Sequence, residues 1–201
     1  MIRRRTAFGA LAAVLLAFTG PARAAANHAG TLAVVDRLPS GGAIRVVDAR
    51  PKRACERASL PGARCLPAEE LFGADGRPVG FDALRWLLGT IGLRGNEQVL
   101  VVGATTEAAG AVGALLFLAG QRDVTILDHP PAIASGAPAG TARSLTSETI
   151  FTAPMRDRLL VAAPEAAPPS TIADGAPIKR LAVFARTYGG GAEPRPVRLW
   201  P

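Results

Sequence analysis

The stretch that decides the fold runs from Val99 to Gly120 and reads VLVVGATTEAAGAVGALLFLAG. Four apolar residues precede a short loop of small and polar residues, and a long apolar run then ends at a glycine. This order is typical of a buried strand, a loop and a buried helix. In open parallel α/β proteins, ligands bind where a strand ends and its loop enters a helix. The loop at 103–107 nevertheless contains no Cys, Ser, His or Lys.

The segments on either side of this stretch alternate between strand-like and helix-like patterns. Short apolar runs predict strands at 44–48, 64–66, 98–102 and 124–127, and longer runs predict helices at 67–71, 81–92 and 107–119. Residues 30–38 carry apolar side chains at a spacing that favours a short helix, which the Pro-Ser-Gly-Gly run at 39–42 would end. This alternation predicts an α/β fold with a central parallel β-sheet flanked by helices on both faces.

Length and composition divide the chain into three parts. With 201 residues, of which 49% are hydrophobic, the chain can bury the core of one domain that carries an appendage. We expect a signal peptide at 1–24, the α/β domain at 25–138 and a Pro/Ala/Gly-rich C-terminal extension at 139–201. Strand-like pieces at 159–162, 181–185 and 197–200 predict that the extension is partly β and packs on the domain through Trp200. A partly disordered extension is the alternative.

The first 24 residues have the parts of a secretory signal peptide. Three arginines at 3–5 precede an apolar run at about 7–18, and a Gly-Pro pair precedes a small-x-small sequence that ends at Ala24. The apolar run is shorter than the about 20 residues that a membrane-spanning helix needs. We therefore expect cleavage after Ala24, no transmembrane span after cleavage and a periplasmic or secreted protein. An uncleaved N-terminal anchor is the alternative.

The charge of the chain gives little support for nucleic-acid binding. The formal net charge is +7, and because residues 1–24 carry four arginines and no acid, the remaining chain carries +3. No Lys/Arg-rich run follows the N-terminus, and aromatic residues make up only 5% of the chain. A nucleic-acid surface usually shows a clustered basic patch, so we expect no nucleic-acid partner.

Cys55 and Cys65 are the chain's only cysteines, and nine residues separate them. In an oxidising compartment, a single pair of this kind is expected to form a disulfide. Closing a loop of this size stabilises the fold by roughly 2.5–3 kcal/mol in the chain-entropy treatment. Two buried free thiols or a redox-active pair are the alternatives, although the spacing is wider than in the Cys-x-x-Cys redox motif.

Two separated stretches resemble the rhodanese-like family. VVDARPKRACERASLPGARCLPAEEL, residues 46–71, resembles the family's strand ending in Asp-x-Arg, short helix, His-x-Pro-Gly-Ala turn and strand leading into a Pro-led helix. Asp48 and Arg50 match the Asp-x-Arg motif, and Ser59 occupies the first position of the turn. VLVVGATTEAAGAVGALLFLAGQRDVTIL, residues 99–127, resembles the family's apolar strand, catalytic loop, Ala-rich helix and following strand. The resemblance covers about residues 30–130 and implies a rhodanese-like, sulfurtransferase-type fold.

The resemblance also implies that the catalytic loop is degenerate. The family loop reads Cys-x-x-Gly-x-Arg-Ser, and its cysteine thiolate, stabilised by loop amides and a helix N-terminus, carries the transferred sulfur as a persulfide. In this chain the cysteine position is Gly103, which has no side chain and cannot form a persulfide. The degenerate loop comprises Gly103, Ala104, Thr105, Thr106, Glu107, Ala108 and Ala109.

The loop has one remaining route to binding, through its backbone amides. A helix N-terminus favours anions, and Thr105 or Thr106 could cap the helix. Glu107, however, falls in the first helical turn and brings its own carboxylate to the same positive field. A bound anion a few ångströms away would be repelled by roughly 1–4 kcal/mol. A structural strand-to-helix connection is therefore favoured over a small-ligand pocket.

Asp48 and Arg50 are the other binding candidates. The resemblance implies that Asp48 holds loop backbone near the site and that Arg50 is its ion-pair or hydrogen-bond partner, so a structural role is favoured for both. His28 and His129 are far apart in the sequence, without a shared cluster of cysteines or acids, so we expect no metal site. Neither GxxxxGK[ST] nor GxGxxG occurs, and we expect no cofactor.

These observations predict an exported, rhodanese-like domain that is catalytically inactive and acts as a binding or scaffold module in the cell envelope. Its expected partner is an envelope protein or a small ligand. The alternative is an enzyme, either a thiosulfate-type sulfurtransferase or a thiol-disulfide protein, that uses Cys55 or Cys65.

Overall fold

The computed structural model describes residues 30–74, 76–160, 177–191 and 197. The predicted signal peptide, His28 and Trp200 lie outside these residues. The strands are β1 (Thr31–Val35), β2 (Ile44–Asp48), β3 (Arg64–Cys65), β4 (Gln98–Val102), β5 (Asp123–Leu127) and β6 (Thr141–Ala142). The helices are α1 (Lys52–Arg57), α2 (Ala68–Leu71), α3 (Phe81–Thr90), α4 (Thr106–Ala119) and α5 (Pro177–Gly189), and a 3-10 turn lies at Asp157–Leu159.

The described strands form one six-stranded sheet in the order β1-β5-β4-β2-β3-β6, and every pair in it is parallel. Strand β4 lies inside the sheet and is buried from Val99 to Val102, as expected for an apolar strand covered on both faces. The predicted α/β fold with a central parallel sheet is thus confirmed.

The prediction of a short helix at 30–38 is wrong. Residues 31–35 form β1, which pairs in register with β5 from Thr31↔Asp123 to Val35↔Leu127. A segment this short fits a helical or an extended pattern almost equally well, and its β-branched residues favour a strand once a neighbouring strand is present. The long-range pairing with β5, some 90 residues away, decides the outcome.

Helix α4 lies at the centre of the larger hydrophobic core. Every residue from Ala109 to Ala119 is buried. Two of its glycines serve close packing: a Cβ at Gly113 would collide with the side chain of Ile126 in β5, and a Cβ at Gly110 would lie 3.3 Å from the Cα of Ala182 in α5. Small residues therefore let the sheet and a second helix approach α4 from two sides.

The prediction of a strand at 181–185 is also wrong, since this segment belongs to α5. Leu181, Phe184 and Ala185 are buried on the side of α5 that packs against α4. Their spacing is helical, but five consecutive mostly apolar residues read equally well as a short strand. At its end, Gly189 lies close enough to β1 that an added Cβ would sit 3.2 Å from the Val34 amide nitrogen, so α5 also covers that sheet edge.

Helix α1 lies on the opposite face of the sheet from α4. Val47 packs in the same core as α4, whereas the next residue, Asp48, points to the other face. Cys65 is in register with Asp48 and therefore shares its direction, and its sulfur is bonded to Cys55 of α1. Helices consequently flank both faces of the sheet, as predicted.

The chain beyond residue 139 is part of the same packed structure wherever it is described. It supplies β6, a segment that runs along α3 through hydrogen bonds such as Glu148 N to Gly89 O at 3.0 Å, and α5. Phe151 of this segment is buried, and Leu160 forms an isolated parallel bridge with Val197. Within the described ranges, no helix has the length and apolar character needed to cross a membrane.

Candidate functional site

The two stretches that carry the resemblance meet at the carboxyl end of the sheet. Strands β2 and β4 are neighbours, with Asp48 in register with Val102, and the amide of Ala49 donates to the Val102 carbonyl at 2.8 Å. The loop at 103–105 therefore begins beside the Asp-x-Arg segment. This is the edge of a parallel sheet where ligand sites commonly form.

The connection from β4 to α4 is only three residues long, and it is hydrogen-bonded to the first turn of α4. Thr105 caps the helix, because its hydroxyl accepts from the Ala108 amide at 3.1 Å, as one of the two predicted caps. The Ala109 amide donates to the Thr105 carbonyl at 3.0 Å. Two amides at the start of α4 are thus already bonded within the loop, which leaves them unavailable to an anion in this arrangement.

Gly103 sits where the loop leaves no room for a side chain. A Cβ added to it would lie 2.7 Å from the Ala109 amide nitrogen and 3.0 Å from the Thr105 carbonyl oxygen. Backbone atoms cannot move aside as a flexible side chain can, so even one added carbon requires the loop to shift. The loop is therefore closed around Gly103.

The remaining loop residues support the connection rather than an open cradle. Thr106 is the first residue of α4, and its hydroxyl donates to the carbonyl oxygen of Asp128, which ties the helix start to the end of β5. Glu107 lies in the first turn of α4, as predicted. Its carboxylate therefore complements the positive end of the helix dipole.

Asp48 and Arg50 form a compact buried network. Asp48 is fully buried, and its carboxylate accepts from the Arg50 amide at 3.0 Å, from Arg50 Nη2 at 2.6 Å and from the Ser59 hydroxyl at 2.6 Å. Arg50 Nη2 also donates to the carbonyl of Ala58, just past the end of α1. The network joins the end of β2 to the end of α1. The Asp48 carboxylate therefore accepts its hydrogen bonds from groups of the protein itself.

Cys55 and Cys65 are joined by a disulfide, with Cα atoms 5.9 Å apart, and both residues are buried. Gly140 covers this bond. A Cβ on Gly140 would lie 2.5 Å from Cys55 Sγ and 2.8 Å from Cys65 Sγ, and its amide donates to the Cys55 carbonyl at 2.9 Å. The pair therefore presents neither a free thiol nor an open approach from this side.

Sequence reasoning missed a pocket of about 90 Å³ near the carboxyl ends of β3 and β6. It is lined by Lys52, Glu56, Cys65, Pro67, Glu70, Arg143 and Leu145. Arg143 and Leu145 reach it from a segment more than 70 residues beyond the other five. No local motif marks these residues, because only the parallel pairing of β6 with β3 brings them together.

The described residues contain no group of three or more His, Cys, Asp or Glu side chains that could hold a metal ion. His129 is exposed, two residues beyond the end of β5.

No protein-family model matches this sequence, and no curated protein matches it either. Among solved structures, YnjE aligns with 60% of this chain and 31% of its own, with a TM-score of 0.48 and 21% identity. A complex of EanB with ergothioneine aligns with 61% of this chain and 34% of its own, with a TM-score of 0.46 and 18% identity, and an EanB complex with hercynine gives the same values. This chain spans about a third of the length of those proteins.

Proposed function

We propose that this chain is an exported, rhodanese-like domain that does not transfer sulfur and that acts as a binding or scaffold module for an envelope protein or a small ligand. The observation that carries the proposal is the geometry at Gly103. Sulfur transfer by a persulfide needs a thiolate that is both present and open to its donor. Here the position has no side chain, and the Ala109 amide lies where a Cβ would have to fit.

The two cysteines give further support. A sulfurtransferase that used Cys55 or Cys65 would need a free thiolate to attack the outer sulfur of thiosulfate and to release sulfite. Both sulfurs are instead bonded to each other, and both residues are buried. A buried disulfide without a free thiol beside it cannot begin this reaction without a reductant.

The test is a thiol count and an activity assay on the full chain, produced with its N-terminus intact and purified from the cell envelope. We expect no reactive thiol in the denatured, non-reduced protein, and no thiocyanate formed from thiosulfate and cyanide above the level of the Cys55→Ala/Cys65→Ala variant. The intact mass of the same sample tests the predicted cleavage after Ala24. A reactive thiol together with turnover that a single Cys→Ser change abolishes would overturn the proposal in favour of an enzyme.

A further inference from the structure

The pocket near the ends of β3 and β6 lies apart from the loop at Gly103 and is built by separate parts of the chain. Helix α1 contributes Lys52 and Glu56, α2 contributes Glu70, and the segment after β6 contributes Arg143 and Leu145. Cys65 and Pro67 form part of its wall. The Cys55–Cys65 disulfide fixes α1 to β3, so the wall of the pocket is held in place covalently.

The four charged residues of the pocket are arranged as two ion pairs. Lys52 pairs with Glu56 one turn along α1, and Arg143 Nε donates to Glu70. Two positive and two negative groups therefore share one small space. An incoming simple anion would face two carboxylates, and an incoming simple cation would face an ammonium and a guanidinium. A ligand that carries both charges can instead pair with one group of each sign.

The Lys52–Glu56 pair can be exchanged for a ligand at little cost in stability, and a ligand that inserts between Arg143 and Glu70 gives each of them a new partner of opposite charge. Ion pairs between partly exposed side chains contribute little to folding because water solvates each partner well. The Lys52 side chain is 57% exposed, so it can turn towards a ligand without leaving solvent. Arg143 is the more ordered cation, since its side chain is 26% exposed and its guanidinium carbon lies 5.6 Å from the centre of the Trp86 ring.

The size of the pocket and the apolar surface beside it further limit which ligands can bind. A cavity of about 90 Å³ has room for several water-sized groups, which is enough for an ammonium, an α-carbon and a carboxylate. Apolar surface lies beside this polar space, because Leu145 is 89% exposed and Trp86, the neighbour of Arg143, is 46% exposed. A side chain that extends out of the pocket would cover apolar surface now in contact with water.

We propose that this pocket binds a free α-amino acid with an aliphatic or aromatic side chain. The α-carboxylate pairs with Arg143, the α-ammonium pairs with Glu70 or Glu56, and the side chain lies against Leu145 towards Trp86. A residue at the end of a peptide carries either an α-ammonium or an α-carboxylate, so it can form only one of the two ion pairs.

The test is isothermal titration calorimetry of the full chain with L-leucine and L-phenylalanine. We expect saturable binding of one molecule per chain by at least one of them, and at least tenfold weaker binding of its N-acetyl and carboxamide forms, each of which lacks one charge. Arg143→Gln and Glu70→Gln should each weaken binding at least tenfold. The control is Arg122→Gln, which breaks the ion pair of Arg122 with Asp123 at the start of β5 and should leave the affinity unchanged.

Three outcomes would overturn the assignment. The first is the absence of saturable heat with either amino acid up to about 10 mM, a concentration on the order expected to fill weak sites. The second is equal binding of the N-acetyl form, which would indicate a simple carboxylate site. The third is an equal loss of affinity in the Arg122→Gln control. Circular dichroism and thermal melting of each variant separate loss of binding from loss of folding. None of these results depends on the loop at Gly103, so the thiol count and the sulfur-transfer assay remain an independent test of the proposed function.

Discussion

At the scale of single residues, Gly103 lies in a turn that leaves no room for a side chain. The Ala109 amide nitrogen and the Thr105 carbonyl oxygen lie where an added Cβ would have to fit, and the Thr105 cap holds the start of α4 in this form. The tight turn therefore depends on glycine at this position.

We predict that Gly103→Ala lowers the free energy of unfolding by about 1–3 kcal/mol, because the added carbon overpacks a site bounded by backbone. Urea denaturation measures this effect. The control is Gly80→Ala at the N-cap of α3, where φ is −58° and an added Cβ meets no atom within 4 Å, so the change should cost only the weaker helix cap that alanine gives, about 0.5–1 kcal/mol. Equal behaviour of the two variants would show that the loop opens freely. Gly103→Cys should be destabilised as well and should not gain measurable sulfur transfer.

At the scale of secondary-structure elements, the C-terminal end of α4 is completed by a residue from far along the chain. Arg156 is buried, and Nη1 donates to the carbonyls of Phe117 and Gln121, the second at 3.0 Å. Its guanidinium carbon lies 3.9 Å from the centre of the Phe117 ring. Burial lowers the pKa of Arg156, but the guanidinium remains charged at neutral pH. A cation at the end of a helix is favourable because unpaired carbonyls make that end negative.

We predict that Arg156→Gln lowers the free energy of unfolding by about 2–4 kcal/mol, since buried carbonyl groups would lose charge-assisted hydrogen bonds. Arg158→Gln is the control, because Arg158 is exposed two residues away, and it should change stability by less than about 0.5 kcal/mol. Thermal and urea unfolding followed by circular dichroism provide the comparison. If both substitutions cost the same, Arg156 would not be the cap of α4.

At the scale of the whole molecule, the disulfide and Gly140 join the start of the C-terminal extension to the domain. The bond fixes α1 to β3, Gly140 lies directly over both sulfurs, and β6 then pairs with β3. Removal of the bond by Cys55→Ala/Cys65→Ala should lower the free energy of unfolding by roughly 2.5–3 kcal/mol in the chain-entropy treatment. Urea unfolding of the oxidised protein and of this variant gives the difference.

A double-mutant cycle with Gly140→Ala measures how far the two sulfurs limit the space at Gly140. In the oxidised protein the added carbon collides with two sulfurs, and we predict a loss of about 1–3 kcal/mol. With both cysteines changed to alanine, the sulfurs are gone and the loss should shrink by about 1 kcal/mol or more. Equal losses in the two backgrounds would show that Gly140 is constrained by other contacts, such as the Cys55 carbonyl at 2.9 Å.

By itself the sequence determined those features that depend on local pattern and on residue identity. The buried strand at 98–102, the helix after it, the Thr105 cap and the lack of any side chain at Gly103 follow from neighbours in the chain, and the structure agrees with them. The pairing of the only two cysteines is expected from their number and spacing, and the structure contains this disulfide. The local sequence is sufficient for the strand, the helix and the cap because each of them depends mainly on residues within about one turn or one strand.

The tertiary structure alone decided the features that depend on long-range contacts. Residues 31–35 became a strand through pairing with β5, and residues 181–185 became helical because one face packs on α4. The collision at Gly103 and the pocket of paired charges require atoms from distant segments at ångström separations, as with Arg143 beside Glu70. Short apolar runs and single charged residues are ambiguous in sequence, since burial and pairing energies arise only after the chain has folded back on itself.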